Sequence, residues 1–265
     1  MSDPRPIGVF DSGLGGLSVL REIRRLMPHE NAIYVADSGH CPYGGKAPDE
    51  IIARAYAITD FLLARGAKQI VVACNTATIA AVETLRATYS VSFVGMEPGV
   101  KPAVAATHSG VIGVLATGAA LAGEKLHRLI DRHAGAVRVI TQPCPGLVEQ
   151  VEAGDLAGPI TRELVRRYTA PLLEAGADTL VLGCTHFPFL RPVLAEVLGP
   201  ALRLIDTGEA VARRVKSLLD RESITAAVPG QGMIDWYTSG DAAQMRTVGA
   251  RLWGEPIDAI CLPAS

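Results

Sequence analysis

Short apolar runs alternate with amphipathic segments along most of the chain. Ile7–Phe10, Asn31–Ala36, Ile70–Ala73 and Ser92–Met96 have strand length and few charges. Between them, Leu17–Leu26 spaces its apolar residues for one helix face, Asp49–Arg65 reads as a helix closed by Gly66, and 77–87 reads as another helix. A glycine just past the last periodic residue is a helix-stop signal. Short apolar strands that alternate with helices predict a parallel sheet covered on both faces. The last part of the chain predicts a helix over Glu209–Arg221, a strand over Met233–Thr238, a helix over Ala242–Trp253 and a strand over Ile257–Leu262, expected to return to the first half.

The pattern is duplicated. Leu62–Cys74 (LLARGAKQIVVAC) aligns without a gap on Leu172–Cys184 (LLEAGADTLVLGC). Ile7–Gly13 resembles Ile112–Gly118, and Cys41-Pro42 has a counterpart in Cys144-Pro145. Three matches in one order predict two related α/β halves. The expected fold is therefore two pseudo-symmetric parallel-sheet α/β domains, flavodoxin-like halves, covering residues 1–97 with 208–265 and residues 98–207. Ligands of open α/β sheets bind beyond the carboxyl ends of the strands. Asp11-Ser12, Cys74-Asn75-Thr76, Thr117 and Cys184-Thr185-His186 all fall at such ends, and two facing halves would gather them in an interdomain cleft.

The halves differ where chemistry is expected. Asp11 aligns with Ala116, and His186 aligns with Thr76. A carboxylate and an imidazole present in only one copy each point to separate tasks. A cysteine thiol is a small buried hydrophobe by default, but both thiols precede polar residues whose segments could supply helix N-termini. Such an N-terminus, or a nearby cation, favours the reactive thiolate. Asn75, Thr76 and Thr185 are neutral side chains suited to holding a carboxylate. Glu152 lies in the helical-looking LVEQVEAG, where pattern alone makes it a surface residue.

Composition narrows the classes. The chain has 265 residues, 49% of them hydrophobic, and a formal net charge of -2, which gives no electrostatic case for nucleic acid. Residues 102–123 carry no charged side chain and match a membrane span in length, but four glycines and Pro102 make a turn followed by a buried strand the better reading. MSDPRPIGVF lacks a signal-peptide pattern, so a cytoplasmic protein is expected. The five cysteines include no CxxC pair, which argues against a disulfide framework. A zinc site from Cys74, Cys184 and His186 lacks the close-spaced pairs of structural sites, and no metal is expected. A dinucleotide loop at Asp11–Gly16 with Asp37 on a ribose fails because Ser18 holds the third glycine position. A pyridoxal phosphate lysine would have to be Lys46, which is more simply a loop cation, so no cofactor is expected.

These residues give the chain a resemblance to the glutamate racemases, of the cofactor-independent aspartate/glutamate racemase family. The matching segments are GVFDSGLGG (8–16), DSGHCPYGGK (37–46), ACNTA (73–77), GMEPGV (95–100), GCTHFP (183–188) and YTSGD (237–241). The resemblance implies a homodimeric enzyme that interconverts L- and D-glutamate and supplies D-glutamate for peptidoglycan. It implies Cys74 and Cys184 as paired catalytic acid/base groups, with Asp11 assisting Cys74, His186 assisting Cys184, and Glu152 behind them. Asp11, Ser12, Pro42, Tyr43, Gly44, Asn75, Thr76, Thr117, Thr185 and His186 match positions that bind the substrate. One position departs from the family: the loop LATGAALAG keeps Thr117 but has Ala120 where a second threonine is usual. That leaves another amino acid, such as aspartate, open as substrate. A ligand-binding regulatory module without turnover is the reading of a different class, opposed by the presence of both cysteines with Asp11 and His186.

Overall fold

The computed structural model describes residues 3–199, 202–226 and 230–263. It holds ten strands: β1 (Ile7–Asp11), β2 (Ala32–Ala36), β3 (Gln69–Val72), β4 (Ser92–Val94), β5 (Val111–Ala116), β6 (Arg138–Pro143), β7 (Thr179–Leu182), β8 (Arg203–Ile205), β9 (Ile234–Thr238) and β10 (Ala259–Cys261). The chain forms two compact units, Met1–Met96 with Gly208–Ser265, and Glu97–Thr207. The first contains a six-stranded sheet ordered β10-β9-β2-β1-β3-β4, and the second a four-stranded sheet ordered β6-β5-β7-β8. Every pairing in both is parallel, as the alternation of apolar runs and helices predicts.

Four strands of the first sheet and all four of the second share one order: second, first, third, fourth. The register repeats as well. Ile7 pairs with Gln69, and its counterpart Ile112 pairs with Thr179, the counterpart of Gln69.

Each conserved letter of the internal repeat has a physical task. Gly66 and Gly176 take φ of 79° and 85°, left-handed values that other residues rarely adopt. The amides of Gly66 and Ala67 bond back to the carbonyls of Leu63 and Leu62 at 2.9 and 3.1 Å. Gly176 and Ala177 do the same to Leu173 and Leu172 at 2.9 and 3.0 Å. This double bond pattern ends a helix and turns the chain directly into the next strand. The two helices concerned, Pro48–Ala64 and Pro159–Glu174, both begin with proline in the first turn, where its missing N–H is not needed.

The leucines press on bare backbone. A Cβ on Gly113 would lie 2.5 Å from Leu180 Cδ2 and 2.7 Å from Leu172 Cδ1. A Cβ on Gly8 would meet Ile70 at 2.9 Å and Leu62 at 3.1 Å. Leu62 and Leu172 are fully buried in these seats, and burial of such a side chain is worth about 1.5–3 kcal/mol.

Several elements depart from the expected bounds. The helix expected at 77–87 spans Asn75–Thr88, so Cys74 is its N-cap rather than part of the preceding strand. Residues 102–123 contain the expected buried strand, β5, but also end one helix, Val100–Ala106, and form another, Gly118–Ala122. Their alanine-rich sequence has the propensity for helix but is too short to show a period. The helix expected over Ala242–Trp253 passes through a π-helical turn at Met245–Gly249. No helix among the described residues is long and apolar enough to cross a membrane.

Asp178, just before β7, ties the loop in front of β5. Partial burial pushes its carboxyl up, but the Thr107 hydroxyl at 2.5 Å, the His108 and Ser109 amides at 2.6 and 2.8 Å, and the Thr179 hydroxyl at 3.0 Å outweigh burial and hold it well below the ordinary value.

Two outcomes are expected from these contacts. Gly113→Val overfills the seat of Leu172 and should lower unfolding stability by about 1–3 kcal/mol, measured by denaturant titration; unchanged stability would contradict the packing described. Because the folded carboxyl of Asp178 titrates lower than the unfolded one, its stabilisation is complete above the ordinary carboxylate range and is lost as pH falls from that range through the lower folded value. Asp178→Asn should therefore lower Tm at neutral pH and flatten its fall below about pH 5, with the two profiles converging in acid.

Candidate active site

In the first unit, Ala73 N–H bonds to the Phe10 carbonyl at 2.8 Å, continuing the β1–β3 ladder past its last paired residues. The next residues, Ser12 and Cys74, therefore emerge side by side, and the Cys74 S–H donates to Ser12 Oγ at 3.7 Å. Cys74 is also the N-cap of the 14-residue helix Asn75–Thr88, where its sulfur accepts the Ala77 N–H at 3.5 Å. A donor N–H and the positive end of the helix dipole both favour negative charge at that sulfur.

Asp11 is fully buried, and its Oδ2 accepts the Gly16 N–H at 2.7 Å. Gly16 has no room for a side chain: a Cβ there would lie 2.7 Å from Asp11 Cβ and 2.8 Å from Tyr34 Oη. Tyr34 in turn donates to the Gly13 carbonyl at 2.8 Å. The glycine-rich turn is thus closed around the chain's own carboxylate. An amide that a dinucleotide phosphate would need already serves Asp11, which removes that reading.

Asp37 does not face a ribose either. Arg54 grips it with Nη2 on Oδ1 at 2.7 Å and Nε on Oδ2 at 3.0 Å, and the Tyr43 hydroxyl donates to Oδ2 at 2.5 Å. Burial works against this charge, but the bonds from Arg54, Ser239 and Tyr43 hold its carboxyl below the ordinary range. Pro42, Tyr43 and Gly44 lie in a short loop whose 3-10 turn spans Tyr43–Gly45. Lys46 follows the turn and pairs with Glu50 one helical turn on, the place of a loop cation.

Asn75 and Thr76 occupy the first two positions of the helix after Cys74, and both are buried. Asn75 Oδ1 has no hydrogen-bond partner among the described residues. A buried acceptor left without a donor costs about 1–3 kcal/mol, so this oxygen suits a ligand that donates.

The second unit builds the same strand ends with different partners. Gly183 N–H bonds to the Leu115 carbonyl at 2.8 Å, so Thr117 and Cys184 emerge together as Ser12 and Cys74 do. Cys184 Sγ lies 3.6 Å from His186 Nδ1, and His186 Nε2 lies 2.6 Å from Glu152 Oε1. With Nε2–H given to Glu152, neutral imidazole offers the Nδ1 lone pair to a thiol; protonated, it offers N–H to a thiolate. Glu152 thus leaves the surface role that its helix pattern suggests.

Cys184 is not followed by an α-helix N-terminus. It leads through Thr185 and His186 into one 3-10 turn, Phe187–Leu190, with prolines at 188 and 192 around it. Thr185, the next residue, is buried. Thr117 caps the helix Gly118–Ala122 by accepting the Ala120 N–H at 3.3 Å, and the Ala120 methyl is fully buried. The other thiol of this unit, Cys144, donates to the Gln142 carbonyl at 3.3 Å; burial, then the neighbouring Cys184, push it up to about 12.

Sequence reasoning missed Arg54 and Ser239. The signal for Arg54 was present: it sits among Ile51, Ala55, Ile58 and Leu62, on the buried face of its helix. A cation there requires a buried anion. Ser239 gave no such signal beyond its place in YTSGD.

The sequence model of the Asp/Glu/Hydantoin racemase family matches residues 7–215. A glutamate racemase from Herpetosiphon aurantiacus is 58% identical over 244 residues, which cover 92% of this chain and 96% of that protein. Among solved structures, a glutamate racemase isoform from Bacillus anthracis superposes with a TM-score of 0.87 at 31% identity, covering 97% of each chain. Escherichia coli glutamate racemase, in complex with L-glutamate and the activator UDP-MurNAc-ala, gives 0.86 at 35% identity, covering 97% of this chain and 98% of that one. With two parallel α/β units that carry matching cysteines at matching strand ends, and with relatives of this closeness along nearly its whole length, the chain belongs to the Asp/Glu/hydantoin racemase family.

Proposed function

We propose that the protein is a glutamate racemase that works without a cofactor, using Cys74 and Cys184 as its two acid/base groups. The observation that carries this reading is the equivalence of the thiols. Each follows the third strand of its unit's sheet, beside a hydroxyl residue at the end of the first strand, and each has its own polar partners. The Herpetosiphon and Escherichia relatives, named for glutamate, support the substrate.

Racemisation removes the α-proton from one face of the carbon and returns a proton to the other. In this reading the sulfurs lie on opposite sides of the α-carbon. In one direction the Cys74 thiolate takes the α-proton while the Cys184 thiol delivers its own, leaving a Cys74 thiol and a Cys184 thiolate. That end state is the starting state for the reverse direction. Asp11 serves the Cys74 side, and the His186–Glu152 pair lets Cys184 lose and regain a proton.

General acid–base catalysis contributes about 10²–10⁴-fold, too little alone for so weak an acid as an amino-acid α-carbon. The hydroxyls of Ser12, Thr76, Thr117 and Thr185 supply donors for charge that develops on the substrate carboxylates. Thr117 uses an oxygen lone pair for its cap on the Ala120 N–H. The open Asn75 Oδ1 suits the α-ammonium. The proton of the Tyr43 phenol is committed to Asp37, so Tyr43 and Gly44 meet the substrate through backbone amides of their turn, with Pro42 shaping its entry. The family resemblance extends the reading to a cytoplasmic homodimer whose D-glutamate enters peptidoglycan and so supports cell-wall biogenesis and cell shape.

In deuterated water, product formed from L-glutamate should carry deuterium at the α-carbon. Cys74→Ser and Cys184→Ser should each lower turnover by about 10²–10⁴-fold; near-normal turnover in either would sink the two-thiol mechanism. Preference for aspartate in the same assay would move the mechanism to another substrate, and tight glutamate binding without exchange would favour a binding module. Glu152→Gln removes a charge-assisted hydrogen bond worth about 1.5–3 kcal/mol, so kcat should fall by about 10–100-fold, less than in either cysteine variant.

A further inference from the structure

Asp37 takes no part in the proton transfer described above, yet it is one of the most heavily bonded side chains of its unit. Its carboxylate is fully buried at the end of β2. Arg54 takes both oxygens in a fork, Tyr43 donates to Oδ2, the Ser239 hydroxyl also bonds to it, and His40 Nδ1 lies 3.2 Å from Oδ1. A fork of this kind fixes orientation as well as charge. Arg54 stands on the helix Pro48–Ala64, whose inner face is rooted in the core by Ile51, Ile58 and Leu62. The grip on Asp37 therefore has a rigid base.

The loop from Ser38 to Gly45 is held at two points. At its start, Gly39 lies flat against the turn after β9: its N–H bonds to Ser239 Oγ at 3.1 Å, and a Cβ there would lie 2.7 Å from the Ser239 carbonyl oxygen. At its far end, the loop is fastened through the Tyr43 hydroxyl on Asp37. The Tyr43 ring is buried in the same core cluster as Cys74. Burial, together with the Asp37 charge, keeps its phenol protonated, so it remains a donor to that anchor.

We propose that Arg54 is a positioning residue for the Pro42–Gly44 turn: by gripping Asp37 it fixes the anchor that holds Tyr43, and it thereby sets substrate affinity without touching the reacting atoms. The role of the turn in substrate affinity rests on the glutamate racemase reading; the anchoring itself does not.

Two readouts separate these claims. Amide hydrogen exchange measures the anchor directly. In Arg54→Met, exchange in residues 38–46 should accelerate by about tenfold or more, while the segment 62–74 keeps its protection. Kinetics measures the consequence: KM for glutamate should rise by about tenfold or more with kcat little changed, the mark of lost binding shared by ground and transition states. Arg54→Lys keeps the charge but not the fork, and should fall between wild type and Arg54→Met in both readouts. If Arg54→Met fails to fold because Asp37 is left unpaired, the double variant Asp37→Leu/Arg54→Met removes both charges and should show the same two changes. Wild-type exchange in 38–46 in a folded variant overturns the proposal, as does a loss confined to kcat. A wild-type protein that leaves the glutamate α-proton unexchanged would instead strike the racemase reading, and the exchange of 38–46 would still decide the anchor.

Discussion

The register between the first and third strands of each sheet is the constraint on which the candidate site depends. Phe10 pairs with Val72, and Leu115 pairs with Leu182. Two residues further along, Ser12 stands beside Cys74 and Thr117 beside Cys184. A slip of one residue would turn every side chain of a strand to the opposite face and would part each thiol from its hydroxyl neighbour. The register is held from the other end of the strand, where Leu62 and Leu172 seat on Gly8 and Gly113. A larger residue at either glycine has no seat, and a shifted strand would offer the leucine a side chain instead of bare backbone. The packing at the base of the sheet thus determines which groups meet at its tip.

On this common frame the two thiols receive unlike support. Cys74 has backbone help: an N-cap position on a helix of four turns and the Ala77 amide. Cys184 has side-chain help: an imidazole backed by a carboxylate. The difference follows from the residues after each cysteine. Asn75-Thr76-Ala77 continues smoothly into a helix, whereas Phe187-Pro188 breaks the chain into a 3-10 turn and brings His186 back toward the sulfur. A helix dipole is fixed, while a histidine can take up or release a proton near neutrality. One thiol therefore sits in a fixed field and the other beside a side chain of a titratable kind.

Much of this was legible in the sequence because the repeat is physical rather than decorative. Leu62, Gly66 and Cys74 recur as Leu172, Gly176 and Cys184 since each does a separate geometric job: a seat on the sheet, a left-handed turn, and delivery to a strand end. The alternation of short apolar runs with helices was enough for parallel sheets. Glu152 was different. Its helix is only six residues long, and nothing in LVEQVEAG marks the one glutamate that turns toward a histidine thirty-four positions away; only the family resemblance singled it out. The helix Gly118–Ala122 was unreadable for a related reason, since one turn and a half cannot display a period. For Asp37 the sequence was enough to set aside a ribose contact, since Ser18 breaks the glycine pattern, but not to name its partner, because the arginine that claims it comes seventeen residues later on another element.

That last case bears on how the strand ends are charged. Two buried carboxylates lie at strand ends of the first unit and a partly buried one beside His186 in the second, and each is answered within its own unit: Asp11 by the Gly16 amide, Asp37 by Arg54, and Glu152 by His186. An uncompensated carboxylate at these depths would be driven toward protonation or would repel an anionic ligand. Internal compensation removes both problems before any ligand arrives. The side chains next to each sulfur are neutral: Ser12, Asn75 and Thr76 in the first unit, Thr117 and Thr185 in the second. Neutral donors bind a carboxylate more weakly than arginine would, but they do not neutralise it, and a substrate whose charge must shift between carboxylate and α-carbon gains from contacts that strengthen as that charge develops. Within each unit these carboxylates have partners of their own, which suits the proton transfer proposed for the two thiols.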